Sequence, residues 1–254
     1  MNRSTLIGKR LASLAAVALL AITAAASALA TPTVDTIVAD YIAARGGLTK
    51  LRSLHTLRQK GRAFAGDGRQ AFVMRELKRP DKVRFEFTVQ GITGVFVTDG
   101  GKGWQVSPFE GDFEAKPMAD EAVIDAITQA DVEGPLVDWE AKGHRVELAG
   151  REIVGGRETY KLKVTLKSGA IRHDYIDVKT HYEVRAASTR WLHGKEVHLE
   201  ATFGAFKKTS GILFPGTIEV ATVGRPQHLR IVVDSVEVNP PLSDDLFRRP
   251  KQLE

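Results

Sequence analysis

The feature that most constrains this chain is a series of short segments in which apolar and polar residues alternate. From Lys82 to Gln90, the apolar residues at 83, 85, 87 and 89 alternate with Arg84, Glu86 and Thr88, which is typical of a strand with one buried face and one wet face. Turn residues such as Asp99–Gly101 separate these segments at hairpin spacing. We count about eleven strands: Arg69–Leu77, Lys82–Gln90, Ile92–Thr98, a segment through Trp104 and Val106, His144–Leu148, Thr159–Leu166, Ile171–Val178, Val184–Trp191, Glu196–Phe206, Ile212–Thr222 and His228–Val238.

Helical periodicity is confined to the start and the middle of the chain. Thr33 is a candidate N-cap, apolar residues follow it at helical spacing, and Gly46-Gly47 ends the segment. A short second turn runs from Leu48 to Leu54, and Asp120–Ala130 carries one apolar stripe.

This arrangement predicts a mainly β, α+β protein built on a single antiparallel sheet with segregated helices. Two short helices cannot cover eleven flat strands. We therefore expect a curved sheet that forms an unclosed barrel, with the helices over its concave face. The sequence has no linker of biased composition and no fixed-period repeat, so we expect residues 31–254 to form one domain.

Residues 1–30 have the organisation of a cleavable signal peptide. Basic residues come first, an alanine-rich apolar stretch runs from Leu11 to Ala26, and Ala28-Leu29-Ala30 suits signal peptidase. The alternative is an uncleaved membrane anchor, since Leu11–Ala30 is just long enough to span a bilayer. We predict cleavage after Ala30, export to the periplasm, and no stable transmembrane segment in the mature chain.

Charge and composition exclude several classes of protein. The net charge of +5 includes three basic residues within the first 30 positions, and the remaining 33 basic and 31 acidic residues nearly balance. Such a chain lacks the basic footprint of a nucleic-acid-binding protein. Because it contains no cysteine, it has no disulfide, no thiolate nucleophile and no cysteine-ligated metal.

No catalytic or cofactor motif is found. His193 and His198 are five residues apart, which places them on opposite faces of a strand. The pairs His173-Asp174 and Asp177/His181 fall in a charged hairpin, where surface ion pairs are common. Gly100–Gly103 is glycine-rich but lies in a hairpin rather than before a helix. We therefore predict a protein that is not an enzyme and has no cofactor and no metal.

A cluster of aromatic and apolar side chains in the first half of the chain is the candidate ligand site. For any single member an ordinary core position is the plainer interpretation. Taken together, they mark where an acyl chain would lie if the half-barrel is open. The candidates are Phe72, Met74, Phe85, Phe87, Phe96 and Trp104.

Several short segments, in order and over nearly all of the mature chain, resemble the bacterial outer-membrane lipoprotein-sorting protein family. They are Tyr41–Gly47 with Leu51 after it, Asp99–Trp104 followed by Ser107–Phe109, Gly134–Leu136, Gly143-His144, Gly211–Pro215 and Val238–Phe247. The resemblance implies a lipoprotein-carrier-like half-barrel: an unclosed antiparallel barrel with helices as a lid and an apolar cavity for lipid or acylated protein.

The resemblance and the residues together predict a periplasmic carrier for the acyl chains of lipids or lipoproteins, of the outer-membrane lipoprotein-sorting type. Its partners would be such a ligand and envelope proteins of the inner or outer membrane. Two alternatives stay open. One is a non-carrier envelope sensor or accessory module of the same fold, with a filled cavity and an exposed apolar patch. The other is a hydrolase, which needs a pocket of convergent titratable groups.

Overall fold

The computed structural model describes residues 32–192, 195–225 and 228–250. The segment predicted as a signal peptide, Thr31 and His193 lie outside the described residues. These residues contain three helices: α1 Val34–Arg45, α2 Leu48–Arg52 and α3 Asp120–Thr128. Two short 3-10 turns cover Pro108–Glu110 and Asp244–Phe247.

Thirteen strands form one antiparallel sheet: β1 Thr56–Ala65, β2 Gln70–Lys78, β3 Lys82–Val89, β4 Ile92–Asp99, β5 Lys102–Ser107, β6 Asp112–Pro117, β7 Arg145–Val154, β8 Arg157–Thr165, β9 Ile171–Asp177, β10 Glu183–Leu192, β11 Lys195–Gly204, β14 Thr217–Thr222 and β15 His228–Val238. Their order is β6-β5-β4-β3-β2-β1-β15-β14-β11-β10-β9-β8-β7. Because β6 and β7 are edge strands, the sheet is not closed. The two remaining strands, β12 Lys207–Thr209 and β13 Ile212–Phe214, form a separate hairpin.

The first helix has the boundaries that its sequence predicts. The Thr33 side chain accepts a hydrogen bond from the Thr36 backbone amide at 3.2 Å and caps the N-terminus. At the other end Gly46 takes a φ of +127°, a conformation that glycine adopts without the steric cost of a Cβ. The backbone N–H groups of Gly46 and Gly47 then bond to the carbonyls of Ala43 and Ile42.

All three helices pack against the same face of the sheet, which we call the inner face. On α1, Ile37, Val38 and Tyr41 are buried against residues of β7, β8 and β9. Leu51 of α2 packs with residues of β1, β2 and β3. Helix α3 lies over β5, where Gly103 leaves room for Val123.

The prediction of one large, unclosed antiparallel sheet with few helices is confirmed, but the strand count is corrected from about eleven to thirteen. Strands β1 and β6 of this sheet and β12 of the separate hairpin were missed. The predicted strand Ile212–Thr222 is two strands, β13 of the hairpin and β14 of the sheet, interrupted at Pro215-Gly216. The cover is also more than helical, since Ile212 and Phe214 of the β12–β13 hairpin and Val132 of the segment after α3 belong to the same core as Leu51.

The sheet curves around its inner face. Arg75 on β2 and Arg172 on β9 line the same cavity, although six strand spacings separate the two strands. At about 4.8 Å per spacing, a flat sheet would hold them roughly 29 Å apart. Because the cavity has a volume of only about 250 Å³, the strands between them must bend around it.

Candidate ligand site

An apolar cavity of about 400 Å³ lies on the inner face, at the end of the sheet where the β1–β2 and β3–β4 hairpins turn. Its lining is mainly aromatic and small apolar side chains with a few polar groups: Ala63, Ala65, Arg69, Gln70, Ala71, Phe87, Val89, Phe96, Ser107, Phe109 and Leu229. We call it the apolar cavity.

A stack of aromatic rings centred on Phe87 forms one wall of the apolar cavity. Its ring centroid lies 5.6 Å from that of Phe96, 5.2 Å from that of Phe109 and 6.2 Å from that of Phe85. These distances lie in the range that aromatic pairs prefer. Alanine at positions 63, 65 and 71 lines the cavity beside the rings, on the neighbouring strands β1 and β2. These small side chains leave space on the inner face next to the bulky rings.

The six predicted site residues divide between the two faces of the sheet. Phe85, Phe87 and Phe96 are on the inner face, since Phe85 pairs with Phe96 and shares its face of β3 with Phe87. Phe87 and Phe96 line the apolar cavity, and Phe85 stacks beside them. Whether these side chains bind a ligand stays a prediction.

Phe72, Met74 and Trp104 lie on the outer face, so their assignment to one cavity with the other three was wrong. Met74 pairs with Glu86, and Phe72 pairs with Thr88 and is 64% exposed. Trp104 lies opposite Val97 rather than Phe96. It packs instead with Val97, Leu242, Leu246 and Phe247, which shows that the C-terminal segment covers this part of the outer face.

A second cavity, of about 250 Å³, lies between the inner face and the segment that follows α3. Apolar side chains such as Leu77, Phe203 and Phe214 line part of it. Unlike the apolar cavity it also has charged walls, and we call it the charged cavity. The charged residues that line it are Arg45, Arg75, Asp131, Arg172 and Glu183.

Arg75 projects into the charged cavity from β2. Its Nη2 donates to the carbonyl oxygen of Gln129, just after α3, at 2.9 Å. Its Nε is shielded from solvent and has no hydrogen-bond partner. No carboxylate of the described residues makes an ion pair with it. Burial without a counter-charge lowers the pKa of the guanidinium to about 10.

The other wall of the charged cavity holds a buried ionic cluster. Arg172 donates from Nε to Asp174 Oδ1 at 2.6 Å and from Nη2 to Glu183 Oε1 at 2.8 Å. Burial, helped by the charge of Asp174, raises the pKa of Glu183 to about 7, and burial also raises the pKa of Asp174. Burial opposes the charged form of Arg172, but the two carboxylates outweigh it and raise its pKa.

Tyr41 and Arg45 complete this wall from α1. Burial raises the pKa of the Tyr41 phenol to about 12. Arg45 Nη1 donates to Tyr41 Oη at 3.0 Å and to the carbonyl oxygen of Glu133. These bonds tie α1 to the segment after α3.

The acid–base pairs noted in the sequence serve the structure of the hairpins. His173 and Asp174 are neighbours on a strand and therefore face opposite sides of the sheet. Asp177 accepts hydrogen bonds at 2.8 Å from the backbone amides of Lys179 and Thr180, which shapes the β9–β10 turn. Among the described residues, no group of three or more His, Asp or Glu side chains could hold a metal ion.

Sequence reasoning missed Arg75, Phe109 and the small residues of the apolar cavity. A signal for Arg75 was available, because it alternates with Val73 and Leu77 and so falls in an otherwise apolar row. Phe109 follows a proline after β5, and only the folded chain shows that its ring stacks on Phe87.

Comparison with solved structures shows a shared fold at very low sequence identity. A DUF1329 family protein from Desulfovibrio piger matches with a TM-score of 0.58 and 14% identity over 86% of this chain and 98% of its own. A domain described as an outer membrane lipoprotein-sorting protein, from Vibrio parahaemolyticus, matches with a TM-score of 0.57 and 11% identity over 85% of this chain and 95% of its own. A LolA superfamily protein from Nitrosomonas europaea matches with a TM-score of 0.55 and 12% identity over 86% of this chain and 99% of its own.

These matches confirm the resemblance as a likeness of fold to the lipoprotein-sorting, LolA-type proteins. No protein-family model matches the chain, and no curated protein matches it in sequence. Within the described ranges, no helix has the length and apolar character needed to cross a membrane.

Proposed function

We propose that the protein is a periplasmic carrier that binds the acyl chains of lipids or lipoproteins. The observation that carries this proposal is the apolar cavity, which aromatic rings and alanine side chains line on the inner face of an unclosed sheet. The fold that the protein shares with a lipoprotein-sorting domain and a LolA superfamily protein supports acyl chains as the class of ligand.

Burial of methylene groups would supply the affinity. Each CH₂ group removed from water contributes about 0.8 kcal/mol, so ten of them contribute about 8 kcal/mol before the costs of association are subtracted. This corresponds to a dissociation constant of order micromolar at best. Such binding suits a carrier, which must hold its ligand and also release it.

Helix α3 covers the inner face at β5 and buries little of its own surface there. Val123 is the buried residue of this helix, and Ile124 is 54% exposed. An element with so little buried apolar surface opens at low free-energy cost. The hydrogen bond from Arg75 to Gln129 holds the end of this helix region against β2. We therefore assign α3 the role of a lid.

The first experiment is to purify the protein under native conditions and to identify co-purifying lipids by mass spectrometry. The proposal expects acyl-chain lipids or acylated peptides in stoichiometric amounts. Delipidated protein should then bind a fluorescent fatty acid. Absence of both co-purified and added ligand would contradict it.

A matched pair of variants locates the binding. Phe87→Asp places a charge in the apolar cavity, and Phe72→Asp places one on the exposed outer face. In Phe87→Asp, ligand entry must dehydrate the carboxylate, which costs several kcal/mol, so binding should be lost. Because water reaches the empty cavity, the melting temperature should fall only moderately. Phe72→Asp should retain both binding and stability.

A folded Phe87→Asp variant that binds normally would rule out the apolar cavity as the site. An unfolded one would indicate a filled core.

A second candidate function is an envelope sensor or accessory module that binds a protein. Three large apolar side chains favour it, because Phe72, Phe113 and Ile124 are each more than half exposed. The discriminating result is simple: such a module would bind no fatty acid, and Phe87→Asp would affect only its stability.

Periplasmic location rests on residues 1–30. N-terminal sequencing of the exported protein should give Thr31 as the first residue. Recovery of Met1 on membrane-bound protein would contradict it and favour an anchor.

A further inference from the structure

Of the three arginines that line the charged cavity, Arg75 has the fewest hydrogen-bond partners among the described residues, and no carboxylate balances its charge. Arg172 is bonded to two carboxylates, Asp174 and Glu183. Arg45 is bonded to Tyr41 Oη and to the carbonyl oxygen of Glu133. For Arg75, the described residues provide one neutral acceptor, the carbonyl oxygen of Gln129.

An unbalanced guanidinium facing a cavity is a binding group for an anion. Burying a charge without a partner is costly, and proteins normally pair it. A guanidinium has five N–H donors in a planar fork that fits two oxygens of a carboxylate or phosphate. Arg75 uses Nη2 for Gln129, and its Nε remains without a partner.

The acidic residues of the charged cavity do not satisfy Arg75, because other cations hold them. Asp131 accepts a hydrogen bond from Lys142 Nζ at 2.6 Å. Glu183 is held by Arg172 at 2.8 Å. Among the described residues of these walls, an incoming anion would therefore meet Arg75 rather than unpaired carboxylates.

Arg75 also lies next to the apolar cavity. On β2 the inner-face positions run from Arg75 through Val73 to Ala71, and Ala71 lines the apolar cavity. Four residues of extended strand span about 13 Å. Phe85, which stacks on Phe87, pairs directly with Arg75. A single amphiphile could thus contact both Arg75 and the aromatic wall.

We propose that the ligand is an anionic amphiphile whose oxyanion head, a carboxylate or a phosphate, binds Arg75 in the charged cavity while its acyl chain lies along the inner face toward Phe87. The inference rests on the proposed acyl-chain binding and adds the chemistry of the head group and the orientation of the chain. The side-chain amide of Gln59, which also lines the charged cavity, supplies a further donor.

The test uses three ligands with the same twelve-carbon chain: laurate, dodecyl phosphate and the neutral methyl laurate. Each displaces a fluorescent fatty acid from the purified protein in a competition titration. The wild-type protein should bind at least one of the two anions at least tenfold more tightly than methyl laurate. Preference for laurate alone assigns a carboxylate, preference for dodecyl phosphate alone assigns a phosphate, and preference for both assigns an oxyanion of either kind.

Two variants identify the residue responsible. Arg75→Gln should lose the preference for the anion, measured as the ratio of the anion affinity to the methyl laurate affinity of the same variant, so that an effect of the lost Gln129 bond on α3 cancels. Arg62→Gln is the control. It removes an exposed arginine on the outer face of the neighbouring strand β1, where Arg62 pairs with Asp234 of β15, and it should keep the preference for the anion. Arg75→Lys retains the charge without the planar fork and should give an intermediate preference.

The outcomes separate this inference from the proposed function. If methyl laurate binds wild-type protein as tightly as both anions, the head-group assignment is overturned while acyl-chain binding stands. The head-group assignment is also overturned if Arg75→Gln keeps the full preference for the anion. If Arg75→Gln does not fold, full preference in Arg75→Lys has the same meaning. If none of the three ligands binds, both proposals fail.

Discussion

The ring of Phe87 on β3 lies directly over Gly94 on β4, so close that a Cβ at position 94 would lie 2.6 Å from Cε1 of the ring. The two residues are paired across neighbouring strands of the inner face. The absence of a side chain at 94 lets the ring lie down on the sheet. In that position it stacks on Phe96 and Phe109 and forms the aromatic wall of the apolar cavity.

Gly94→Ala should therefore lower stability and reduce ligand affinity. The new methyl group forces the Phe87 ring off its stack and into the apolar cavity, and such overpacking costs about 1–3 kcal/mol. Urea unfolding measures the change. In a Phe87→Ala background the same substitution should cost much less, because the ring is gone. Equal costs in the two backgrounds would show that the contact is unimportant.

Gly103 has a corresponding role under the lid. A Cβ at this position would lie 2.7 Å from Val123 Cγ2 and 2.8 Å from Met118 Sδ. Gly103→Ala should push α3 away from β5, which hydrogen exchange would detect as faster exchange of the α3 amides. It should also speed ligand release.

The control is Gly66→Ala. The nearest atom to a Cβ at position 66 is 3.5 Å away, on His228, so the change is accommodated and α3 should exchange as in the wild type. Unchanged α3 exchange in Gly103→Ala would contradict the proposed contact.

The face of each strand could be predicted from the sequence only where the alternation is strong. On β3 it is, and Phe85 and Phe87 share the inner face. Trp104 was assigned to the wrong face because it was grouped with Phe96 by closeness in sequence, which does not indicate the face of the sheet on which a side chain lies. The β4–β5 register, which pairs Trp104 with Val97, decides that.

Strand β1 escaped prediction because its pattern is not apolar. Its inner face carries small or polar residues such as Gln59 and Gly61, and its outer face carries Arg58, Lys60 and Arg62. The strand is stabilised by partners far away in sequence, since these cations pair with acids of β2 and β15. Local propensity does not contain that information.

The outer-face ion pairs of β1 should differ sharply in their effect on stability. Arg58 bonds from Nε to Glu76 Oε1 at 2.7 Å, and Glu76 is 2% exposed. Arg58→Met keeps the apolar stem but leaves a buried carboxylate without its cation, so unfolding free energy should fall by about 3 kcal/mol. Urea unfolding measures the loss.

Arg62→Met is the matched control on the same strand and face. Arg62 and Asp234 are both more than 40% exposed along their side chains, so breaking this pair should cost less than about 1 kcal/mol. Similar losses in the two variants would mean that burial of Glu76 does not matter.

The buried ionic cluster predicts how stability depends on pH. Burial raises the pKa of Glu183 from 4.5 to about 7, so the folded protein holds this proton at pH values where the unfolded chain has released it. Stability from this group is therefore fully present below about pH 4.5 and is lost as pH rises through about 7, by an amount on the order of 3 kcal/mol. Asp174, whose pKa is also raised by burial, acts in the same direction.

Two histidines act in the opposite direction within the same range. Burial lowers the pKa of His144 and His173. The unfolded chain therefore binds these protons more readily than the folded protein, and stability from these two groups rises as the pH increases through about 6.5. The informative quantity is therefore the difference between the wild type and Glu183→Gln in how the free energy of unfolding changes with pH. Urea unfolding at pH 5 and pH 8 should show that the wild type loses more stability, or gains less, than Glu183→Gln over this interval. Glu219→Gln, at an exposed position on β14, should behave as the wild type. If Glu183→Gln and the wild type change equally between the two pH values, Glu183 does not keep its proton in the folded protein and the assignment of its environment is wrong.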